Sequence, residues 1–572
     1  MHALEARIAG AAADVARSRR WRGPVLAALV ALIAGLPGVI GLPPLDRDES
    51  RFAQATAQMV ETGDYVNIRF QDQPRDKKPV GIHWLQAVSV QLTSSVEKRE
   101  IWAYRLPSLL GAMLAAAACA WGAAAFMGWR SGFVAGAVLG AGFILSTEAS
   151  IAKTDAVLCF AITLSMSALG RLYGASRGVI PDQGRWTKVM LWIGLALGIL
   201  IKGPIGPMVV LLTLLALWAA DRSLSWARTL GWGWGLVFVA AVVGPWAMAI
   251  TVATDGGFWG AALSGDLAPK LAGGQETHGA PPGLHLILSP LLSFPAGLLI
   301  PAALVAGWRM RHLPGARFAL AWLIPSWLVF ELLPTKLPHY TLPMYGALGW
   351  LIAAALREPI GRWSRWIGAA LSMICGVAIA VVALVALTKY GGAGATGWAI
   401  AVAVLAIAAG AAGAMGLVLN APVAALGVSM VLGVAAHGAL AGGLAPRLDD
   451  LWPSRAAATM LDRDGLDPRN GITAGPVVVT GYAEPSLVFA LGTETQLDSA
   501  SEAAVAITEG RPALIESRQD TAFRAAATAQ HAKATLAGSV KGLDYSSGKQ
   551  VTLSLWRPIN PPPSELETAP NP

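Results

Sequence analysis

The chain has 572 residues, of which 55% are hydrophobic and only 14% are charged, and its mean hydropathy is +0.53. Soluble domains carry about 25% charged residues, so this composition excludes an ordinary soluble protein and predicts a polytopic α-helical membrane protein. The net charge of +8 does not indicate a nucleic-acid partner, because most basic residues lie in short segments between apolar runs.

Apolar runs of about 17 to 25 residues predict about thirteen transmembrane helices. These candidate spans lie near residues 24–42, 105–127, 131–147, 155–173, 187–201, 203–220, 229–252, 284–307, 317–333, 340–356, 365–388, 396–419 and 422–444. Basic residues fill alternate connections, so the positive-inside rule predicts a cytoplasmic N-terminus. The first run lacks a small-residue cleavage pattern and ends in Pro-Pro, so we expect an uncleaved first span.

The three cysteines, Cys119, Cys159 and Cys375, all fall inside apolar runs. Their positions predict small buried hydrophobic residues, and they indicate neither a disulfide framework nor a metal site.

The membrane face opposite to the N-terminus is predicted to carry the large polar segments of the chain. Residues 1–445 form the transmembrane domain, with a large first loop at 43–104 and a second loop at 253–283. Residues 446–572 have a soluble composition, with strand-like "GPVVVTGY" and "QVTLSLWRP", a helix-like "RQDTAFRAAATAQHAKATLA" and a Pro-rich tail. We expect a small α/β domain there, on the periplasmic side.

The first loop begins with "GLPPLDRDESRFAQ", which places a dense group of charges directly after an apolar run. Apolar residues recur at helical spacing over 50–62, and Gly63 follows as a stop signal, so we predict an amphipathic surface helix with Asp48 and Glu49 at its start. "KKPVGIHWLQAVSVQL" predicts a second surface helix. The pair Asp48 and Glu49 is also what an ordinary helix N-terminus would show.

Several ionisable residues near membrane depth are functional candidates, because charge is costly there. Lys78 lies in the first loop, Lys202 stands between two apolar runs in "LIKGPIG", and Asp155 opens a run in "IAKTDAVL". The alternative for each lysine is a side chain extending to the membrane interface, and for Asp155 a helix N-cap.

"DRDESRFAQATAQMVETGDYV" followed by "KKPVGIHWL" resembles the first loop of GT-C class glycosyltransferases that use polyprenyl-phosphate sugars. The similarity is strongest to the bacterial lipid A aminoarabinose transferases, with protein O-mannosyltransferases as more distant relatives. It continues through "LIKGPIG", "GPWAMAI", "FWGAALSGDLAPKLAGGQETHGAP" and "PTKLPHYTLP", to about residue 445.

The resemblance implies an inverting glycosyltransferase of the inner membrane, with a periplasmic active site. It would move one sugar from an undecaprenyl-type phosphate to lipid A or lipopolysaccharide. By the same resemblance Asp48 is the catalytic base, with a pKa expected to be raised by desolvation. Lys78 binds the donor phosphate, and Lys202 and Lys336 are weaker phosphate candidates.

The resemblance also assigns supporting residues. Glu49 and Arg51 are expected to hold Asp48 in place, although an ordinary ion pair on the helix surface explains them equally well. Asp155 and Tyr340 are expected to contact the sugar or the acceptor, and an interfacial belt tyrosine is the alternative for Tyr340.

The sequence departs from the family where a Tyr and a Glu contact an aminosugar. Those positions hold Arg75 and Lys77, and an arginine of the second loop is replaced by Lys270. Two cations would repel an aminosugar and attract an acidic one, so we hypothesise a neutral or uronic acid donor. The alternative is that both cations face solvent beside Asp72 and Asp76.

Two questions stay open at this stage. Glu276 and His278 are weak candidates for a divalent metal site. The alternative is a solvated loop that binds no metal, and no other cofactor is expected. The competing functions are a protein O-glycosyltransferase, and a lipid or solute transporter or flippase. A transporter predicts functional charge in mid-span, whereas the charges here lie mostly at span ends.

Overall fold

The computed structural model describes residues 21–45, 47–269, 279–470 and 475–559. The α-helices of the membrane half are α1 Arg22–Gly41, α2 Asp48–Thr62, α3 Gly81–Thr93, α4 Ile101–Ala141, α5 Phe143–Ala149, α6 Asp155–Ser176, α7 Arg185–Lys202, α8 Ile205–Asp221, α9 Trp232–Ala253, α10 Gly257–Gly260, α11 Leu284–Leu292, α12 Ile300–Arg309, α13 Pro314–Leu332, α14 Tyr345–Ala355, α15 Arg362–Tyr390, α16 Ala395–Val418 and α17 Pro422–Gly438. The predicted polytopic helical architecture is confirmed.

Eight of the described helices are long and apolar enough to cross a membrane, and the bent pair Leu284–Leu292 with Ala296–Arg309 would make nine. Helix α4 counts once, although Gly128 breaks it at φ 80° and ψ 166° into two spans, as predicted near 105–127 and 131–147. The spans predicted near 187–201, 203–220 and 340–356 correspond to α7, α8 and α14, which fall short of this length and hydropathy test. The count of thirteen therefore stays a prediction.

Small residues allow the first spans to pack closely. Helix α1 runs along both halves of α4, and a Cβ added at Gly136 would lie 2.4 Å from the carbonyl oxygen of Ala116. Such contacts between backbones replace the hydrophobic driving force that lipid cannot supply between helices.

The first loop folds onto the ends of the spans. Helix α2 begins at Asp48 and ends at Gly63, which adopts the left-handed conformation at φ 71°, as the sequence predicts. The segment after it contains only a two-residue hairpin, β1 Arg69–Phe70 paired with β2 Gln73–Pro74. Helix α3 follows, and Gly81 at its start approaches the end of α7 so closely that a Cβ would lie 2.7 Å from the Leu200 carbonyl oxygen. This contact brings the chain around Lys78 near Lys202.

The C-terminal part forms a five-stranded sheet with helices packed against it. Its helices are α18 Pro453–Arg463, α19 Pro485–Leu491, α20 Ala500–Thr508 and α21 Asp520–Ala529, and its strands are β3 Val478–Thr480, β4 Gln496–Leu497, β5 Ala513–Glu516, β6 Ala534–Asp544 and β7 Lys549–Pro558. The strand order is β4-β3-β5-β7-β6, with β3 parallel to β4 and β5, and with β7 antiparallel to β5 and β6.

This sheet domain is attached directly to the first loop. The hydroxyl of Thr493 accepts a hydrogen bond of 2.7 Å from the Gln54 amide and donates one of 2.6 Å to Glu61, both on α2. Phe489 packs edge-on against Tyr104 of α4, with 5.2 Å between ring centroids. The sheet domain therefore contacts α2, the helix that begins at Asp48.

Candidate active site

A buried ion pair holds the start of α2 against the first spans. The guanidinium of Arg105 donates to both carboxylate oxygens of Glu49, at 2.8 and 2.7 Å, and both side chains are fully buried. The same carboxylate accepts hydrogen bonds from the backbone amides of Leu45 and Ala152, at 2.8 and 2.7 Å. Glu49 is therefore engaged with Arg105 and the backbone, and this fixes the position of its neighbour Asp48.

Arg105 also closes the end of the first span. Its guanidinium donates to the carbonyl oxygens of Leu42 and Pro43, at 2.6 and 2.8 Å, and makes longer contacts with those of Gly38 and Val39. The carbonyls of Leu42 and Pro43 lie beyond the last residue of α1, where no further helical turn supplies a donor. One side chain on α4 thus joins the end of α1 to the beginning of α2.

Asp48 is accessible to solvent and is surrounded by cations. Partial desolvation raises the pKa of its carboxyl, but the charges of Lys78, Arg75, Lys153 and Arg51 outweigh this and lower the pKa below its ordinary value. The expectation of a raised pKa was therefore wrong, because it considered burial without the neighbouring lysines and arginines. Asp48 is ionised at neutral pH.

Phe52, one turn after Asp48, aligns two of these cations. The guanidinium carbon of Arg75 lies 4.2 Å from the ring centroid, and the ammonium of Lys78 lies 5.2 Å from it. Lys77 is exposed, and Arg75, unlike Lys77, is among the cations whose charge lowers the pKa of Asp48. Burial lowers the pKa of Lys78 to about 8, and Lys202 adds to this effect while Asp48 and Asp155 oppose it.

Asp155 is the centre of a second charged cluster. Its carboxylate accepts a 2.6 Å hydrogen bond from the ammonium of Lys202, and the ammonium of Lys153 lies 3.7 Å away. The Lys202 ammonium also lies 5.5 Å from the ring centroid of Tyr340. The structure thus brings together Lys202, Asp155 and Tyr340, three of the residues predicted from separate segments.

Two residues of this cluster were not predicted. Glu148 lies 3.1 Å from the ammonium of Lys153, and His339 lies between two carboxylates, 3.7 Å from Glu148 and 3.8 Å from Asp155. A rule that flags every charged residue at the end of an apolar run would have found Glu148 and Arg105. No comparable signal indicates His339. It lies in the segment "PTKLPHYTLP", where the sequence predicts only Lys336 and Tyr340 as site residues.

The other predicted residues lie in different surroundings. Arg51 is half-buried, and its charge lowers the pKa of Asp48. It also acts on Glu484 of the sheet domain. The pKa of Glu484 is nevertheless raised to about 7 by burial and by the neighbouring Asp544 carboxyl. The buried Lys336 donates to the backbone carbonyl of Leu333 at the end of α13, which is an ordinary helix-capping contact.

The metal prediction falls outside the region that the structure covers. Lys270, Glu276 and His278 lie outside the described residues. Among the described residues, no group of three or more His, Cys, Asp or Glu side chains is placed to hold a metal ion.

Comparison with known proteins supports the resemblance found in the sequence. No protein-family model matches the chain. It is 28% identical over 362 residues to an undecaprenyl phosphate-alpha-4-amino-4-deoxy-L-arabinose arabinosyl transferase of Aeromonas salmonicida, covering 60% of this chain and 64% of that protein. A protein of the same name from Pseudomonas paraeruginosa is 28% identical over 348 residues, covering 59% and 60%. The chain thus spans about three fifths of the length of these relatives.

The fold comparison extends over nearly the whole chain. The crystal structure of ArnT from Cupriavidus metallidurans bound to undecaprenyl phosphate matches 92% of this chain and 97% of its own, with a TM-score of 0.71 and 20% identity. At this identity the likeness shows the fold, which is the polytopic GT-C fold. The predicted resemblance to GT-C transferases is confirmed.

The Glu49–Arg105 pair leads to a stability prediction. We expect Glu49→Gln to lower the free energy of unfolding by about 3 to 5 kcal/mol, because it leaves a buried guanidinium without its counter-charge. The control is Asp449→Asn, since Asp449 pairs with Arg455 at 3.0 Å with side chains 55% and 40% exposed, where an ion pair contributes at most about 1 kcal/mol. Melting temperatures of the purified proteins in detergent measure both; equal values for the two variants would contradict a central role for the pair.

Proposed function

We propose that this GT-C fold protein is a glycosyltransferase of the bacterial inner membrane, which transfers a single sugar from a polyprenyl phosphate to lipid A or lipopolysaccharide at the periplasmic face. The single observation that carries the proposal is the position of Lys78: its ammonium lies 5.2 Å from the ring centroid of Phe52 on α2, and its charge lowers the pKa of the solvent-accessible Asp48 at the start of that helix. A base and a phosphate-binding cation, placed side by side, are the two groups that such a transfer requires.

The chemistry follows from the placement of these groups. An oxygen of the acceptor forms a new bond to C1 of the sugar, while the bond from C1 to the phosphate oxygen breaks and its electron pair leaves with the polyprenyl phosphate. Asp48 accepts the proton of the acceptor, and Lys78 stabilises the charge that grows on the leaving phosphate. A single displacement of this kind inverts the configuration at C1.

Lys202 is the second cation for the phosphate. Its ammonium is held at 2.6 Å by Asp155, and its charge is near enough to that of Lys78 to lower the pKa of that lysine. Two close ammonium groups repel each other, and a phosphate between them removes that repulsion. The unfavourable pair in the free protein is therefore a reason for tight donor binding.

The known relatives support the same substrate class. The curated relatives are named for transfer of aminoarabinose from undecaprenyl phosphate, and the solved structure with the same fold contains undecaprenyl phosphate. By analogy the carrier lipid of this protein is an undecaprenyl-type phosphate.

The sugar itself is a separate part of the proposal. Arg75 lies beside Asp48, stacked on Phe52, where its positive charge would oppose an ammonium group on the donor and favour a carboxylate. We therefore assign a neutral sugar or a uronic acid, rather than an aminosugar, to this protein. Lys77 is exposed and plays no part in this assignment.

Asp48→Asn tests the catalytic step. We expect transfer in proteoliposomes, with an undecaprenyl-phosphate-linked sugar and lipid A, to fall by about 10²- to 10⁴-fold, because the amide cannot accept the proton. Binding of undecaprenyl phosphate should persist. Asp72→Asn, at an exposed acid of the same loop, serves as the control and should retain activity; full activity in Asp48→Asn would reject the mechanism.

The lowered pKa of Lys78 predicts a pH dependence of donor binding. Because the ammonium is lost as pH rises through about 8, affinity for undecaprenyl phosphate should fall about tenfold between pH 7 and pH 9. Lys78→Arg keeps its charge over this range and should flatten the profile. Affinities measured at several pH values for both proteins check this; a wild-type profile without a decline would exclude Lys78 as the phosphate ligand.

The donor preference is tested with Arg75→Gln and Lys77→Gln. Uronic acid and aminosugar donors, both linked to undecaprenyl phosphate, are compared in the same transfer assay. The ratio of kcat/KM values for the uronic over the amino donor should fall in Arg75→Gln and stay unchanged in Lys77→Gln. Mass spectrometry of envelope lipids with and without the gene gives the second measurement, and loss of an aminopentose on deletion would contradict the assignment.

A further inference from the structure

A long apolar groove runs along the outer, lipid-facing side of the transmembrane helices, away from the candidate active site. It has a volume of about 790 Å³ and lies between α1, the second half of α4, α14 and α17. Its wall includes Ile33, Val423 and Val431, whose side chains are 62%, 65% and 72% exposed in the isolated protein. Exposed apolar surfaces on transmembrane helices face the hydrocarbon of a membrane, where lipid chains are the surrounding molecules.

The groove is long enough to hold a lipid chain. It follows α17 from Val423 to Gly438, which corresponds to roughly 22 Å at the helical rise of about 1.5 Å per residue. The hydrocarbon of one leaflet is about 15 Å deep, half of the total thickness. The groove is thus longer than one leaflet is deep, so an acyl chain that enters from one membrane face can lie in it through the whole depth of that leaflet.

Two arginines line the end of the groove that lies away from Asp48. Arg130 follows the break at Gly128 in α4, and Arg357 follows the end of α14. Both side chains are exposed, and neither is in an ion pair with any residue that the structure describes. The neighbouring Glu358 lines a different pocket, which shares Arg357.

The ends of the groove fix which membrane face the arginines occupy. Gly23, at the beginning of α1, packs against the carbonyl of Trp129, so Arg130 lies at the face where α1 begins. Pro37 and Gly438 line the groove toward the other face, where α1 ends and leads to Asp48. The two arginines therefore lie in the leaflet opposite to the candidate active site.

We propose that this groove binds an anionic phospholipid of the leaflet opposite to the active site, with one acyl chain along α17 and the phosphate between Arg130 and Arg357. Basic residues at a membrane surface attract anionic headgroups, and pockets of this type between helices select them over zwitterionic lipids. The carrier lipid of the proposed reaction is the rival occupant. This lipid site does not depend on the proposed function.

The test uses the full chain in detergent and native mass spectrometry, with phosphatidylglycerol and phosphatidylcholine as probes. We expect the wild-type protein to bind one phosphatidylglycerol about tenfold more tightly than phosphatidylcholine, and Arg130→Gln/Arg357→Gln to lose that preference. The matched control is Arg185→Gln/Arg362→Gln, which removes the same charge from two exposed arginines that do not line the groove. The control should keep the preference.

A second variant tests the apolar part of the site. Gly427 lines the groove, and a Cβ added there meets no atom within 4 Å, so Gly427→Trp should fill the space without disturbing the helices. We expect it to abolish binding of the single phosphatidylglycerol while the melting temperature stays within a few degrees of wild type. Retention of the lipid preference in Arg130→Gln/Arg357→Gln, or of binding in Gly427→Trp, would overturn the proposal.

Competition identifies the occupant. Undecaprenyl phosphate added at equal concentration should leave the bound phosphatidylglycerol in place. Displacement of that lipid by undecaprenyl phosphate, in a manner that depends on Arg130 and Arg357, would assign the groove to the carrier lipid and reject a phospholipid site.

Discussion

The structure of the candidate site depends on one buried ion pair, Glu49 with Arg105. A charge pair in an apolar interior is stable only when its remaining polar atoms are also satisfied. Here they are satisfied by the carbonyls at the end of α1 and the amides of Leu45 and Ala152. The pair therefore joins three separate parts of the chain. Because it fixes the start of α2, it also fixes the position of Asp48.

The charged residues of the candidate site form two clusters, one in the loop and one at the ends of the spans. The loop carries Arg75 and Lys78, which both lie over the ring of Phe52, and Asp48, whose pKa their charges lower. The spans carry Lys202 and Asp155, whose hydrogen bond of 2.6 Å fixes the ammonium in place. Lys78 connects the clusters, because its pKa responds to charges in both.

Much of this arrangement is accessible from sequence, where local signals are strong. Helix α2 starts and stops where its acids and Gly63 predict, and β7 Lys549–Pro558 matches the predicted closing strand. Local signals fail where contacts with distant segments determine the structure. The helix predicted over 518–537 ends at Ala529, because Ala534 and the residues after it pair with β7.

The partners of Glu49 and Asp48 were beyond the sequence for the same reason. Arg105 is 56 residues away from Glu49 along the chain, and no pattern within either segment indicates the other. The sign of the pKa change at Asp48 depends on Lys78 and Lys153, which reach it only through tertiary packing. Residue types can be chosen from sequence, whereas their net electrostatic effect requires the distances between them.

The hydrogen bond from Gln54 to Thr493 has a consequence for the biogenesis of the protein. The two residues are separated by 439 positions in the chain, which at about 5 to 20 residues per second corresponds to roughly 20 to 90 seconds of translation. During that interval α2 lacks its contact with the sheet domain. The loop helix is thus held on both sides only after the sheet domain has been synthesised and has folded.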